Sequence, residues 1–118
     1  MTPTGLTCTW TPSDEGTAHV SVAGDLEFAT TGKLLRLVTD RLAGHPGVRE
    51  VRLDCGEIGF CDSSALSELM KVLRIVTDAG ARLHLDNRQP ALERLLTRTG
   101  TAAYVTGEAA DSRARRDS

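Results

Sequence analysis

Leu6, Cys8 and Trp10 alternate with Thr7, Thr9 and Thr11, a period of two that predicts a strand with one buried face. Residues 18–23, AHVSVA, place Val20 and Val22 on one side and His19 and Ser21 on the other. The TPSDEGT stretch between them, residues 11–17, is turn material, so the two strands are expected to form a hairpin. Gly24 is expected to end the second strand. Thr30 or Thr31 is then the candidate N-cap of a helix carrying Leu34, Leu35, Val38 and Leu42 at helical spacing, stopped at Gly44-His45-Pro46-Gly47. Alternation returns in residues 50–55, with Val51, Leu53 and Cys55 inward and Arg52 and Asp54 outward.

A second amphipathic helix is expected from Leu66, Leu69, Met70, Leu73 and Val76, closed by Gly80. Residues 82–86 form a short strand with Leu83 and Leu85 inward. Pro90 opens a third helix with Leu92, Leu95, Leu96 and Thr99 as its buried stripe, ended by Gly100. Residues 102–105 are a candidate last strand. Repeated β-α units imply parallel pairing through crossovers. Strands covered on both faces would read as continuous apolar runs, and these alternate instead. The expected fold is α/β, a singly wound β-α layer. Its mixed sheet has four to five strands, with helices mainly on one face and the other face partly wet. Residues 1–107 form the expected domain. In residues 108–118, Arg113, Arg115 and Arg116 balance Glu108, Asp111 and Asp117, which suits a flexible tail rather than a polybasic anchor.

Composition changes this picture only by exclusion. The chain has 118 residues with a net charge of −2, enough for one buried core and no footprint for nucleic acid. One Trp, one Tyr and two Phe make no base-stacking platform. Residues 1–16 show neither the basic nor the apolar stretch of a secretory signal, and no apolar run approaches the ~20 residues of a membrane span. Three cysteines, Cys8, Cys55 and Cys61, form no C-x-x-C pair and suit reduced thiols in the cytoplasm. His19, His45 and His84 lack metal-ligand spacing and are expected to be solvated. No phosphate-cradling glycine motif occurs, so no nucleotide cofactor is expected.

The candidate chemistry lies in GFCDSSAL, residues 59–66. Asp or Ser at a helix start accepts hydrogen bonds from free N–H groups, worth roughly 1 kcal/mol. One residue suffices for that, and Asp62, Ser63 and Ser64 supply three. A serine hydrolase would need G-x-S-x-G and a base, and neither is evident. Phosphorylation suits the residues better. A phosphoserine carries about −1.5 to −2 charges, and the N-terminal end of a helix tolerates them. Beside Asp62, and with Asp25 or Glu27 from the preceding loop, such a charge would turn a binding face strongly negative.

Two motifs, AGDLE at residues 23–27 and FCDSSAL at residues 60–66, resemble the G-[DE]-L-D and F-[MLV]-D-[ST]-[ST]-G-L patterns of STAS domains. The likeness is specifically to the bacterial anti-sigma factor antagonists, and the order of elements agrees over residues 5–106. The resemblance implies the STAS fold. It also implies phosphorylation at Ser63, with Ser64 as second choice, by an anti-sigma factor with serine kinase activity, and resetting by a phosphatase. Asp25, Glu27, Asp62, Ser63, Ser64 and Ser67 would form the partner-binding surface. The chain would be substrate and partner rather than enzyme, without cofactor or metal of its own, in the cytoplasm, and inserted in no membrane. Its unphosphorylated form would bind the anti-sigma factor and so free a sigma factor for transcription. Ala65 stands where the family usually has glycine, and Glu27 where it usually has aspartate. A constitutive STAS scaffold or transporter-accessory module is the alternative, and a small serine hydrolase a remote third.

Overall fold

The computed structural model describes residues 5–12 and 16–99. Strand β1 (Leu6–Pro12) pairs antiparallel with β2 (Thr17–Leu26), with Cys8 opposite Val22 and Trp10 opposite Val20. β3 (Glu50–Cys61) lies parallel to β2, and β4 (Arg82–Asp86) parallel to β3. The sheet order is β1-β2-β3-β4, the mixed sheet expected from a hairpin followed by β-α units. Pro12 lies in the outermost strand, where a missing N–H costs no ladder bond. The candidate strand at residues 102–105, Gly100 and the tail at residues 108–118 lie outside the described residues.

Helices α1 (Lys33–Gly44), α2 (Ser63–Asp78) and α3 (Pro90–Thr99) follow β2, β3 and β4. Their buried residues join one core with Val20, Val22, Val51, Leu53, Leu83 and Leu85 of the sheet. On the opposite sides of the same strands, Thr7, Thr9, His19, Ser21, Asp54 and Arg82 are exposed. The helices therefore cover one face and leave the other to solvent, as the alternation implies. Among the described residues no helix is long and apolar enough to cross a membrane.

Three local expectations are corrected. Gly24 does not end β2, which continues to Leu26. Gly24 has φ 119°, and a Cβ there would stand 2.1 Å from the Gly5 carbonyl oxygen. Glycine is needed because β1 begins against this backbone, not because the strand stops. β3 likewise runs past Cys55 to Cys61. Irregular pairing with β2 between Ser21 and Ala23 and between Gly24 and Leu26 shifts its phase, so Ile58, three residues after Cys55, is also buried.

The third correction concerns the helices' faces and caps. The buried face of α2 is Ala65, Glu68, Leu69, Val72 and Val76, whereas Leu66, Met70 and Leu73 are only partly buried. A carboxylate holds a core position because it caps α1 from outside. Neither Thr30 nor Thr31 is that cap: Gly32 takes the position at φ 98° and offers no side chain. Glu68 Oε2 instead accepts from the Leu35 backbone N–H at 3.0 Å, meeting one of the free donors at the start of α1. This bond fixes α2, and so the turn that begins it, against α1.

Candidate functional site

β2 and β3 are parallel neighbours with Leu26 paired to Cys61. Their C-terminal ends therefore lie side by side, as ligand sites do in open α/β sheets. That register brings AGDLE and FCDSSAL together although about 35 residues separate them. Asp62 is the N-cap of α2, its Oδ1 accepting from the Ser64 N–H at 2.8 Å. Its Oδ2 accepts from the Phe28 N–H at 3.2 Å, and its own N–H donates to the Leu26 carbonyl at 3.2 Å. In return Asp25 Oδ1 accepts from the Phe60 N–H at 3.1 Å. Each motif's aspartate thus holds the backbone of the other motif.

The loop after β2 is tightened by Thr30, which is buried. Its hydroxyl donates to the Asp25 carbonyl at 2.7 Å and accepts from the Glu27 N–H at 3.2 Å. The 3-10 turn Phe28–Thr30 then leads into Gly32. Thr30 is part of the site's frame, a role that its reading as a helix cap concealed.

Ser63 is the first residue of α2 and is exposed. Among the described residues no hydrogen bond engages its hydroxyl, so the oxygen is open to a partner. Ser64 is half-buried, and Ser67 is exposed one turn further on. Asp25, Glu27 and Asp62 are half-buried, and among the described residues none of the three is in an ion pair. Their charge is felt nearby. The Cys61 thiol is pushed above its ordinary pKa of 9.0, first by burial and then by the Asp25 and Asp62 carboxylates. A protonated thiol is no nucleophile. Burial likewise pushes Cys55 up to about 12 and Cys8 up to about 11.

The histidines are not simply solvated. His84 Nε2 meets Glu50 at 2.7 Å, and His45 Nδ1 meets the Arg41 carbonyl at 2.7 Å while its ring lies 5.6 Å from that of Trp10. His19 is exposed on the wet face of the sheet. Among the described residues no hydrogen bond joins a histidine to Ser63 or Ser64, and no group of three or more His, Cys, Asp or Glu side chains could hold a metal ion.

Ala65 is 1% exposed, so its methyl group packs into the core and does not stand on the surface a partner would meet. From Ser63 an open groove of about 730 Å³ runs along α2 to Asp78, lined by Leu66, Met70 and Leu73 and by Lys71 and Arg74. On the other side of the turn, Phe60, Cys61 and α3 residues Ala91, Arg94, Leu95 and Arg98 line a cleft of about 220 Å³. Sequence periodicity missed Phe28 and Phe60, which are exposed. Their only signal was large apolar side chains at strand ends, next to Glu27 and Gly59.

A family model described as "Mlab, STAS domain" matches residues 11–106. No curated protein sequence matches the chain. Among solved structures, an anti-sigma factor antagonist from Mycobacterium paratuberculosis is similar, with 23% identity, a TM-score of 0.68, and coverage of 84% of this chain and 81% of that one. The Bacillus cell fate determinant SpoIIAA in its phosphorylated form is similar at 16% identity and a TM-score of 0.63, with coverage of 92% and 99%. The murine anion transporter Slc26a9 matches at 18% identity and a TM-score of 0.64, over 70% of this chain and 14% of that one. At these identities the likeness is one of fold.

Proposed function

The chain belongs to the STAS domain family, and from that premise we propose that it is an anti-sigma factor antagonist switched by phosphorylation at Ser63. The observation that carries this is the exposed Ser63 hydroxyl, free of hydrogen bonds among the described residues. It opens α2 beside a carboxylate that is itself tied to the neighbouring loop. The unphosphorylated chain docks its Asp25, Glu27, Asp62, Ser63, Ser64 and Ser67 surface on an anti-sigma factor with serine kinase activity, and the sigma factor is released for transcription. The partner brings ATP and the catalytic groups. The γ-phosphorus forms a bond to Ser63 Oγ as its bond to ADP breaks, and the hydroxyl proton leaves to a base of the kinase. This chain supplies the acceptor and the docking face, and Ser64 is the second-choice acceptor.

The added charge of about −1.5 to −2 falls at the positive end of the α2 dipole, where the fold tolerates it. It also falls beside Asp62 and near Asp25, neither of which is in an ion pair among the described residues. The face changes in charge with little change in shape, the complex dissociates, and a phosphatase resets the chain in the cytoplasm. Similarity of fold to both an anti-sigma factor antagonist and phosphorylated SpoIIAA supports this reading. Calorimetry against the cognate anti-sigma factor tests it. Ser63→Ala keeps the affinity and Ser63→Asp weakens it at least about tenfold, the cost of a like charge at an interface. Equal affinity for both variants would count against the switch.

The likeness to a domain of the Slc26a9 anion transporter favours a second reading, a constitutive STAS module of a transporter. In that case Ser63→Asp and Ser63→Ala behave alike, and tagged chain recovers a membrane complex and no kinase.

A further inference from the structure

Two large hydrophobic side chains are exposed among the described residues, Phe28 at 79% and Phe60 at 54%. Both stand at the Ser63 end of the sheet. A single exposed apolar residue needs no explanation, but these two share a further property. The backbone N–H of each is held by the aspartate of the opposite motif, Phe28 by Asp62 at 3.2 Å and Phe60 by Asp25 at 3.1 Å. Exposed aromatics on free loops would lose backbone freedom when covered, and these have already lost it. Such prior ordering leaves more of the burial energy for association.

The charges around them are ordered. Phe28 follows Glu27 and bonds to Asp62, so its surroundings are acidic. Phe60 lines the cleft with Leu95 and the guanidinium-bearing Arg94 and Arg98. We infer that Phe28 and Phe60 are the apolar anchors by which this face grips its protein partner. The partner surface that fits is an apolar patch with basic side chains toward Glu27 and Asp62 and acidic side chains toward Arg94 and Arg98. Opposite charges on the two sides fix one orientation of docking, while aromatic anchors supply most of the affinity. The inference rests on the functional proposal above for the partner's identity, an anti-sigma factor.

The test is calorimetric titration of the full chain, Phe28→Ala, Phe60→Ala and the double variant into each purified serine-kinase anti-sigma factor of the organism that encodes the chain. Thr9→Ala, on the opposite face, is the control, and thermal unfolding confirms that each variant folds. The expected result is a loss of about 30-fold or more in affinity for at least one single variant, the range of an interface hot spot, with a larger loss in the double variant and none in Thr9→Ala. Wild-type binding that the double variant retains within about threefold, the range of energetically near-neutral contacts, would overturn the anchors and leave the functional proposal standing. Failure of the wild-type chain to bind any anti-sigma factor would overturn both. Sedimentation completes the test. A wild-type dimer that the double variant lacks, with anti-sigma factor binding unchanged, would assign the aromatics to self-association and overturn the inference.

Discussion

The wet face of the sheet and the Ser63 end of the same sheet both carry acidic side chains, but they satisfy them in opposite ways. On the face, acids meet side chains of other strands or of the bend that follows β4. Arg52 makes a two-pronged contact with Asp86 at 2.9 Å, Glu50 meets His84 at 2.7 Å, and the Asp54 carboxylate accepts from Asn87 at 3.1 Å. Asp54 is held below its usual pKa by the Gly56 N–H and by Asn87. At the Ser63 end, Asp25 and Asp62 accept from backbone N–H groups alone. A backbone amide satisfies a carboxylate's lone pairs without cancelling its charge. On the face, Asp86 has a cationic partner and Glu50 an imidazole, and of the three only Asp54 is held by neutral groups alone. The end holds the Asp25 and Asp62 charges without an ion-pair partner and leaves Ser63 exposed, which suits a charge-operated docking surface.

Breaking the two regions should therefore have unequal consequences. The largest loss of stability is expected from Glu68→Ala, which empties a buried site and strips the Leu35 N–H of its acceptor. A buried donor left unpaired costs about 1–3 kcal/mol, measurable by urea unfolding, and the loosened α2 should also slow any phosphorylation of Ser63. Asp62→Ala comes next. It removes the N-cap of α2 and the brace to Phe28, and loss of a cap costs about 1 kcal/mol. Asp86→Ala on the wet face breaks the two-pronged contact with Arg52, but both partners are about a third exposed. Exposed pairs contribute about 0.2–1 kcal/mol, so its unfolding midpoint should move least of the three. A loss for Asp86→Ala exceeding that for Asp62→Ala would reverse the comparison.

The smallest effect sharpens the point. Cys61 reports the uncancelled charge, since Asp25 and Asp62 add to burial in raising its pKa above 9.0. Its alkylation by iodoacetamide should rise with pH through a midpoint above that value. Asp62→Asn keeps an acceptor for the Ser64 N–H and removes the charge, although its amide nitrogen cannot accept from the Phe28 N–H, so the midpoint should move down while stability falls less than in Asp62→Ala. An unmoved midpoint would mean that the Asp62 charge is not felt at the thiol, leaving burial and Asp25 to raise its pKa.

The sequence showed the β-β-α-β-α-β-α order because each strand buries one face and each helix one stripe. Gly24 and the α2 stripe misled for a shared reason. In both, a long-range neighbour decides the residue, Gly5 in the first and the start of α1 in the second. Periodicity along a chain does not register such contacts. Ser63 and Asp62 were legible because three capping residues in a row exceed what a helix needs. The crossed bonds to Phe28 and Phe60 were not, because they depend on the β2–β3 register. Asp25 in particular looked like a surface acid and is also a clamp on the Phe60 backbone.

The central claim is that the Ser63 hydroxyl is a phosphate acceptor. Incubation of the full chain with its cognate anti-sigma factor kinase and ATP, followed by mass-spectrometric site mapping, tests it most directly. One phosphate on Ser63, lost in Ser63→Ala and accompanied by release from the kinase, is the predicted result. Phosphate absent altogether, or found only away from Ser63 and Ser64, would contradict it.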